Sequence, residues 1–468
     1  MAFVSVDRGA SRSLIGQVYD QIRDLILAGT LRCGTKLPST RALALELAVS
    51  RNVVLEAYEQ LLAEGYLETR AGSGSYVAAG AAFDAAPETN VDGLRLVGFK
   101  PFRVDLVDFR SGLPDLSRFP VRTWRRLSRE VWEGITPRDL AYSQPEGRPE
   151  LREAIARYIS AHRGVRCHPD QVLVTAGTTQ AVGIVSRLLL QGGNKTCVLE
   201  DPVTIDIQHI ISGFGGRVIP VPVDEQGLQT DALPTGRIPG FIYVTPSHQF
   251  PLGVTMPIQR RVGLLEYAQR SGAYIVEDDY DSEFRYESPP VSSIQGLDPQ
   301  RVVYIGTFSK TLCPAMRIGY IVFPPDLVNR GRQVKWFIDL HNASVDQLIL
   351  ARFISEGYFL RHVSNMKKVH RQKRKVLVEA ITACFSDTVT LLGASAGLHL
   401  CVRFPGIEFT PTLLEELERR GLVVYPVEEH AIRKGRYRDT VILGFGMLEV
   451  ERIQAGIKIL RRCIAGSG

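Results

Sequence analysis

The 468-residue chain has the composition of an ordinary globular protein, with 45% hydrophobic and 23% charged residues, and its length predicts two or three domains. It has no apolar run near the ~18 residues of a membrane span and no signal-peptide core, and its seven scattered cysteines form no CxxC pair. These features exclude a disulfide framework and a zinc site and predict a cytoplasmic protein without a metal centre. The net charge of +6 permits DNA binding without requiring it.

The first 80 residues predict three helices followed by a β-hairpin. Ser39 and Ser50 stand where they can cap the second and third helices. The short turn between those helices has helix-turn-helix spacing, and the hairpin would form a wing. The predicted elements are helices over 14–29, Thr40–Leu47 and Arg51–Glu64, and strands over 66–70 and 75–77.

This module can bind DNA by placing its third helix in the major groove, with Ser50, Arg51 and Asn52 facing the bases. The remaining contacts would reach phosphates. The predicted DNA contacts are Lys36, Ser39, Arg41, Ser50, Arg51, Asn52, Arg70, Gly72 and Gly74. The alternative is a small helical core that binds no DNA, because basic and acidic residues are equal in number through residue 80. The clustering of basic residues at the turn and wing favours DNA.

One long segment of this module resembles the winged helix of GntR-type transcription regulators. The segment reads LPSTRALALELAVSRNVVLEAYEQLLAEGYLETRAGSGSYVA, and the resemblance covers about residues 13–78. Val53 departs from it, because that family commonly has Thr there. The DNA-binding domain is therefore assigned to residues 1–78. Residues 79–104, rich in Ala, Gly and polar side chains, are predicted to be a flexible linker.

From about residue 103, short apolar runs alternate with helical segments. This alternation predicts an α/β domain with a mostly parallel sheet covered by helices. In such sheets, ligands bind beyond the carboxyl ends of the strands. The predicted strands are 172–174, 197–199, 218–221, 241–244, 274–276, 302–305 and 320–323.

Lys310 ends the motif Gly306–Lys310, directly after the predicted strand 302–305. A desolvated lysine has a lowered pKa and can form a Schiff base with an aldehyde. Pyridoxal phosphate is the expected aldehyde, and Lys310 is the candidate catalytic residue. The alternative is a lysine that reaches the surface from a strand end.

Two further motifs follow predicted strands and would complete this cofactor site. Gly177, Thr178 and Thr179 open a helix, where backbone N–H groups and hydroxyls can bind phosphate. Asp278 can pair with the pyridine nitrogen, and the hydroxyl of Tyr280 can bind the ring oxygen. Each signal is weak alone, since similar turns are common, but their joint occurrence on one domain favours the cofactor.

Thr307 and Arg317, on either side of Lys310, would close the phosphate site. Four segments of the domain resemble fold-type I aminotransferases over about residues 105–464. They are AYSQPEGRPELREAIARYISAHRGVRCHPDQVLVTAGTTQAV, VTPSHQFPLGVTMP, VEDDYDSEF and GTFSKTLCPAMRIGY. The order of the two domains resembles that of the MocR (GabR-like) regulators, so residues 105–468 are assigned to an aminotransferase-like effector domain.

The resemblance implies that Lys310 carries the internal aldimine, that Asp278 holds the pyridine nitrogen and that Tyr280 holds the phenolic oxygen. It also implies a homodimer, often head-to-tail in MocR-type proteins, with Tyr142 reaching a phosphate in the partner subunit. The residues implied to bind phosphate within one chain are Thr178, Thr179, Thr307 and Arg317.

Three positions depart from the aminotransferase pattern. Thr204 stands where an aromatic residue stacks on the cofactor, Phe250 replaces the Asn of an Asn-Pro-Thr-Gly turn, and Ile442 replaces the Arg that binds the substrate carboxylate. The residues open as substitutes for that Arg are Arg433, Arg436 and Arg438. These departures weigh against efficient transamination and leave cofactor binding expected.

The sequence is therefore interpreted as a DNA-binding transcription regulator that depends on pyridoxal phosphate. A small amine or amino-acid effector, or the cofactor itself, would modulate its binding to a double-stranded operator. The alternatives are an active aminotransferase with an appended DNA-binding domain and a regulator whose large domain is a cofactor-free scaffold.

Overall fold

The structure, a computed structural model, describes residues 4–81, 103, 105–192, 195–236, 238–287 and 289–465. The chain divides into two compact units, Met1–Lys100 and Pro101–Gly468. Most of the predicted linker, residues 82–102 and 104, lies outside the described residues. No helix in the described part of the chain is long and apolar enough to cross a membrane.

The first unit is a winged helix-turn-helix, as the sequence predicts. Val18, Ile22 and Ile26 form one buried face of the first helix, which packs against the third. The Ser39 hydroxyl accepts a hydrogen bond from the Ala42 backbone N–H and caps the second helix. The elements are α1 (Leu14–Leu27), α2 (Thr40–Glu46), α3 (Arg51–Ala63), β1 (Leu67–Arg70) and β2 (Gly74–Val77).

The second unit contains the remaining elements. Its helices are α4 (Val121–Glu133), α5 (Pro137–Leu140), α6 (Pro149–Arg163), α7 (Thr178–Leu189), α8 (Ile205–Gly213), α9 (Ile258–Ser271), α10 (Val328–Asp339), α11 (Ser344–Ser355), α12 (Tyr358–Phe385), α13 (Pro411–Arg419) and α14 (Val450–Ala465). Its strands are β3 (Val107–Asp108), β4 (Val172–Thr175), β5 (Thr196–Asp201), β6 (Arg217–Asp224), β7 (Gly227–Leu228), β8 (Phe241–Val244), β9 (Tyr274–Asp279), β10 (Val302–Thr307), β11 (Gly319–Val322), β12 (Thr390–Leu392), β13 (His399–Arg403), β14 (Leu422–Val423), β15 (Tyr425–Pro426) and β16 (Thr440–Gly444).

All of the strands predicted for the large domain belong to one eight-stranded sheet, in the order β4-β11-β10-β9-β8-β5-β6-β7. The five strands from β10 to β6 run parallel, while β4, β11 and β7 pair antiparallel with their neighbours. The residues of β4, β5, β8 and β10 are buried throughout, as expected for strands covered by helices on both faces. The mostly parallel α/β prediction is confirmed.

A second, antiparallel sheet of four strands lies in the C-terminal part of this unit, in the order β12-β13-β16-β15. Buried residues of this sheet and of α12, α13 and α14 share one hydrophobic core. The strand β13 brings His399 to the cavity described next.

Candidate functional site

Lys310 follows β10 and lines a cavity of about 310 Å³ in the second unit. A Cβ added at Gly112 would lie only 2.8 Å from Lys310 Nζ, so the small residue makes room for the amine. Burial lowers the pKa of Lys310, although the carboxylates of Asp281 and Asp278 oppose the shift. This setting suits a nucleophilic amine rather than a surface cation.

Asp278 lies on β9 with its carboxyl group buried at the same cavity. Tyr243 on β8 donates a hydrogen bond of 2.5 Å to Oδ2, whereas the buried Oδ1 has no partner among the described residues. Burial raises the pKa of Asp278 to about 7, despite the opposing Tyr243 hydrogen bond. A cationic N–H donor at Oδ1 would stabilise the ionised carboxylate, so this position fits a protonated pyridine nitrogen.

The strand β9 extends three residues beyond the predicted Val276 and includes the whole acidic run Glu277–Asp279. Successive side chains of a strand point to opposite faces. Glu277 accepts hydrogen bonds of 2.9 Å from two backbone N–H groups, and Asp279 pairs with Arg163 at 2.7 Å. Only the middle acid, Asp278, lines the cavity.

The hydroxyl of Tyr280 is held at the cavity by a histidine. It donates to the backbone carbonyl of His248 at 2.9 Å and lies 3.1 Å from His248 Nδ1. Both carboxylate oxygens of Asp281 lie within 3.1 Å of the same Nδ1. Sequence reasoning missed His248 and Asp281, although both stand within two residues of positions that it discussed.

The start of α7 and the side chain of Arg317 form a candidate phosphate cradle. Gly177 is the N-cap with φ +90°, and a Cβ there would lie 3.0 Å from Arg317 Nη2. The same nitrogen donates to the Ala176 carbonyl. Thr178 and Thr179 line the cavity beside these groups. Free N–H groups at a helix start together with a guanidinium are suited to a phosphate.

Of the two remaining residues predicted to bind phosphate, Thr307 is buried and Tyr142 is exposed. The Thr307 hydroxyl is buried, donates to the Ser309 hydroxyl at 3.1 Å and accepts from the Ser309 N–H at 3.2 Å. Tyr142 is 86% exposed, and its ring lies 6.1 Å from that of His341. Tyr142 does not line the cavity of its own chain, so its role toward a partner subunit stays a prediction.

Two of the three residues that depart from the aminotransferase pattern line this cavity, and the third lies in a neighbouring apolar cluster. Thr204 and Phe250 line the cavity, while Ile442 is fully buried in an apolar cluster that contacts Phe250. The side chain of Thr204 makes no capping hydrogen bond to α8. None of the three arginines considered as substitutes, Arg433, Arg436 and Arg438, is among the described cavity-lining residues.

All of the predicted DNA contacts are exposed on the first unit. Two of them, Arg70 and Lys36, meet at the ring of Tyr76, a residue that sequence reasoning missed. The Arg70 guanidinium lies 4.4 Å from the Tyr76 ring centroid and Lys36 Nζ lies 5.8 Å from it. A Cβ at Gly74 would lie 3.4 Å from Lys36 Cε. The aromatic ring therefore holds two cations at the base of the wing.

The recognition helix α3 presents its first turn without internal capping. The Ser50 side chain makes no capping hydrogen bond, so its hydroxyl is available. Arg51 Nε donates to the Thr40 hydroxyl at 3.4 Å, which links α3 to α2. Asn52 is exposed beside them.

Two protein families match this chain, one in each unit. The gntR family of bacterial regulatory proteins matches residues 14–77, and the aminotransferase class I and II family matches residues 104–441. The chain is 37% identical to the probable rhizopine catabolism regulatory protein MocR of Rhizobium meliloti, over 97% of this chain and 94% of that protein. The chain belongs to the MocR-type transcription regulators.

This MocR-type regulator has further relatives among regulators and enzymes. It is 30% identical to the pyridoxine biosynthesis transcriptional regulator PdxR of Corynebacterium glutamicum, over 93% of this chain and 92% of that one. The solved structure of Pyrococcus horikoshii kynurenine aminotransferase matches with a TM-score of 0.72 and 27% identity, over 78% of this chain and 91% of that chain. The protein is thus a bacterial DNA-binding regulator with an aminotransferase class I fold.

Proposed function

We propose that this MocR-type regulator binds pyridoxal phosphate at Lys310 and that an amine effector, or the cofactor itself, changes its affinity for DNA. The buried Asp278 carries the proposal, because its Oδ1 has no hydrogen-bond partner among the described residues and can accept a hydrogen bond from a protonated pyridine nitrogen. It shares one cavity with Lys310, an amine whose pKa is lowered by burial.

Each group of the proposed site has a task toward the cofactor. Lys310 bonds the aldehyde, Asp278 holds the pyridine nitrogen and Tyr280 donates to the ring oxygen. The phosphate is held by the backbone and hydroxyls at the start of α7 and by the side chain of Arg317. Bound pyridoxal phosphate supplies an aldehyde that reacts with primary amines, which gives a regulator a chemical means of recognising an amine.

The effector acts by favouring one arrangement of the protein over another. It can shift that equilibrium only by as much as its affinities for the two arrangements differ. The functional form is a homodimer, with two winged helices on two DNA half-sites and Tyr142 at the phosphate of the partner subunit. The high exposure of the Tyr142 ring is consistent with a contact outside its own chain.

The visible absorption spectrum of the full-length protein tests this proposal. Dialysed protein that is titrated with pyridoxal phosphate should gain a visible band with saturable amplitude. Binding to a duplex selected from a random library should then respond to cofactor or to added amines. Absence of a band at saturating cofactor would contradict the proposal and would favour a scaffold role for the large unit.

Asp278→Asn is expected to weaken cofactor binding by roughly 10- to 150-fold, since a hydrogen bond to a charged group contributes about 1.5–3 kcal/mol. The amide keeps the shape of the carboxyl group but cannot balance a pyridinium charge. Titration of the visible band measures the effect. Asp231→Asn, at an exposed carboxylate of the same unit, is the control. Equal cofactor affinity in Asp278→Asn and the wild type would exclude the assigned role.

Arg51→Ala should lower affinity for the selected duplex by roughly 5- to 150-fold, because an arginine that reads a base contributes about 1–3 kcal/mol. Fluorescence anisotropy at fixed salt concentration measures it. Arg23→Ala is the matched control, because Arg23 lies on α1 and pairs with Asp20 and Asp24. An equal loss in both variants would mean that charge alone, and not the recognition helix, sets the affinity.

A further inference from the structure

Apart from Lys310 itself, the described residues that line the cavity around Lys310 include no lysine or arginine that could pair with a ligand carboxylate. The described lining residues include Lys310, whose pKa is lowered by burial, and two acids, Asp206 and Asp278. In the proposed function Lys310 bonds the cofactor until an amine replaces it, and burial, which lowers the pKa of this lysine, disfavours a cation there after the exchange. Arg317 lies at the phosphate end, against Gly177. A buried carboxylate without a partner is costly, so this cavity is unsuited to one.

Two histidines are among the polar residues that line the cavity. The rings of His399 and His430 each lie 5.2 Å from the ring of Phe250 and meet it edge to face. Burial lowers the pKa of both histidines to about 4, so both rings are neutral near pH 7. They therefore offer hydrogen bonds without charge.

The tautomers of these rings follow from their hydrogen bonds. His399 Nε2 lies 2.9 Å from the Pro251 carbonyl, which only accepts, so Nε2 carries the proton and Nδ1 remains an acceptor. His430 Nδ1 accepts from the Ile205 N–H at 3.2 Å, so its Nε2 carries the proton and is a donor. One acceptor and one donor match hydroxyl groups, which can both donate and accept, whereas a carboxylate only accepts and has no hydrogen to give to an acceptor nitrogen.

We propose that the effector is a primary amine with hydroxyl groups and no carboxylate, an amino alcohol or amino polyol rather than an amino acid. This inference rests on the proposed function, because the amine is recognised through the cofactor at Lys310. In the exchange, the effector nitrogen replaces Lys310 Nζ on the aldehyde carbon, and the two hydrogens that the effector amine loses are gained by Lys310 Nζ. The exchange therefore needs no oxidant or reductant.

Matched pairs of amines test the inference on full-length protein that carries pyridoxal phosphate. Ethanolamine is compared with glycine, and serinol with serine, so that each pair differs only in a hydroxymethyl group against a carboxylate. The alcohol of each pair should reach its half-maximal change of the visible band, and of DNA affinity, at a concentration roughly tenfold lower or better, corresponding to one unit of pKd. Equal or tighter binding of the acids would overturn the inference.

A second test adds a cation to the cavity by substitution of Thr204. This residue lines the cavity, and its side chain makes no capping hydrogen bond that the substitution would break. Thr204→Arg should shift the preference toward the acids, while Thr204→Gln, which introduces a larger polar side chain without charge, should keep the preference for the alcohols. An unchanged preference in Thr204→Arg would overturn the charge argument. A protein that shows no visible band with cofactor fails the proposed function itself, whereas a band that answers equally to acids fails this inference alone.

Discussion

Lys310→Ala is expected to abolish the effector response of DNA binding and to leave basal DNA affinity within about twofold, the scatter usual for distant sites. The substitution removes the amine that bonds the cofactor, while every predicted DNA contact lies in the first unit. Anisotropy titrations of the selected duplex, with and without cofactor and amine, measure both quantities. The visible band of the cofactor complex should be lost in parallel.

Two controls separate the chemistry of Lys310 from its charge. Lys310→Arg keeps a cation but cannot form the bond to an aldehyde, so it should behave like Lys310→Ala. Lys375→Ala removes an exposed lysine that pairs with Glu379 and should leave the response intact. An undiminished effector response in Lys310→Ala would refute the assigned role of this lysine.

Arg163→Met is expected to destabilise the large unit by about 3–5 kcal/mol, the usual cost of removing one partner of a buried ion pair. Arg163 Nε bonds Asp279 at 2.7 Å and Nη2 bonds the Ser247 hydroxyl at 2.9 Å. Tyr304 also donates to Asp279, at 2.5 Å. Burial alone would raise the pKa of Asp279, but the charge of Arg163 more than offsets this and leaves it low. Without Arg163, a carboxylate would remain buried and uncompensated.

Tryptophan fluorescence during urea unfolding measures this effect, because Trp124, Trp132 and Trp336 are the three tryptophans and all lie in the second unit. Arg157→Met, on the same helix α6, is the control. The Arg157 side chain is 64% exposed and lies 3.6 Å from Glu153, so its loss should cost less than about 0.5 kcal/mol. Similar costs for the two variants would mean that the buried pair contributes little to stability.

The sequence predicts well those features that depend on local pattern. The helix-turn-helix, the wing and the parallel strands follow from periodicity, capping residues and Gly-rich turns, and the structure places them within a few residues of the prediction. Lys310, Asp278 and Thr178 could be found because each lies at or just beyond the carboxyl end of a strand, at the edge where ligands bind. The strand was predicted to end at Val276, before the acidic run, but buried partners hold that run within β9.

The side chains that sequence reasoning missed depend on contacts between distant segments. Tyr243 reaches Asp278 only because β8 and β9 are paired in one register. His399 comes from the second sheet, more than a hundred residues after Asp278 in the chain, and no local pattern connects the two. Such contacts require the tertiary fold, which strand prediction alone does not provide.

Because the acids of β9 alternate between the two faces of the sheet, this strand should not tolerate the insertion or deletion of a single residue. Removing or adding one residue before Glu277 would exchange the two faces of the sheet, so that the acid at the cavity would be turned toward Arg163 and its neighbour toward the cavity. The cavity would then lose the carboxylate of Asp278, and the opposite face would lose the ion pair between Asp279 and Arg163. Insertions and deletions should therefore be tolerated in the loops on either side of β9, but not between Tyr274 and Asp279.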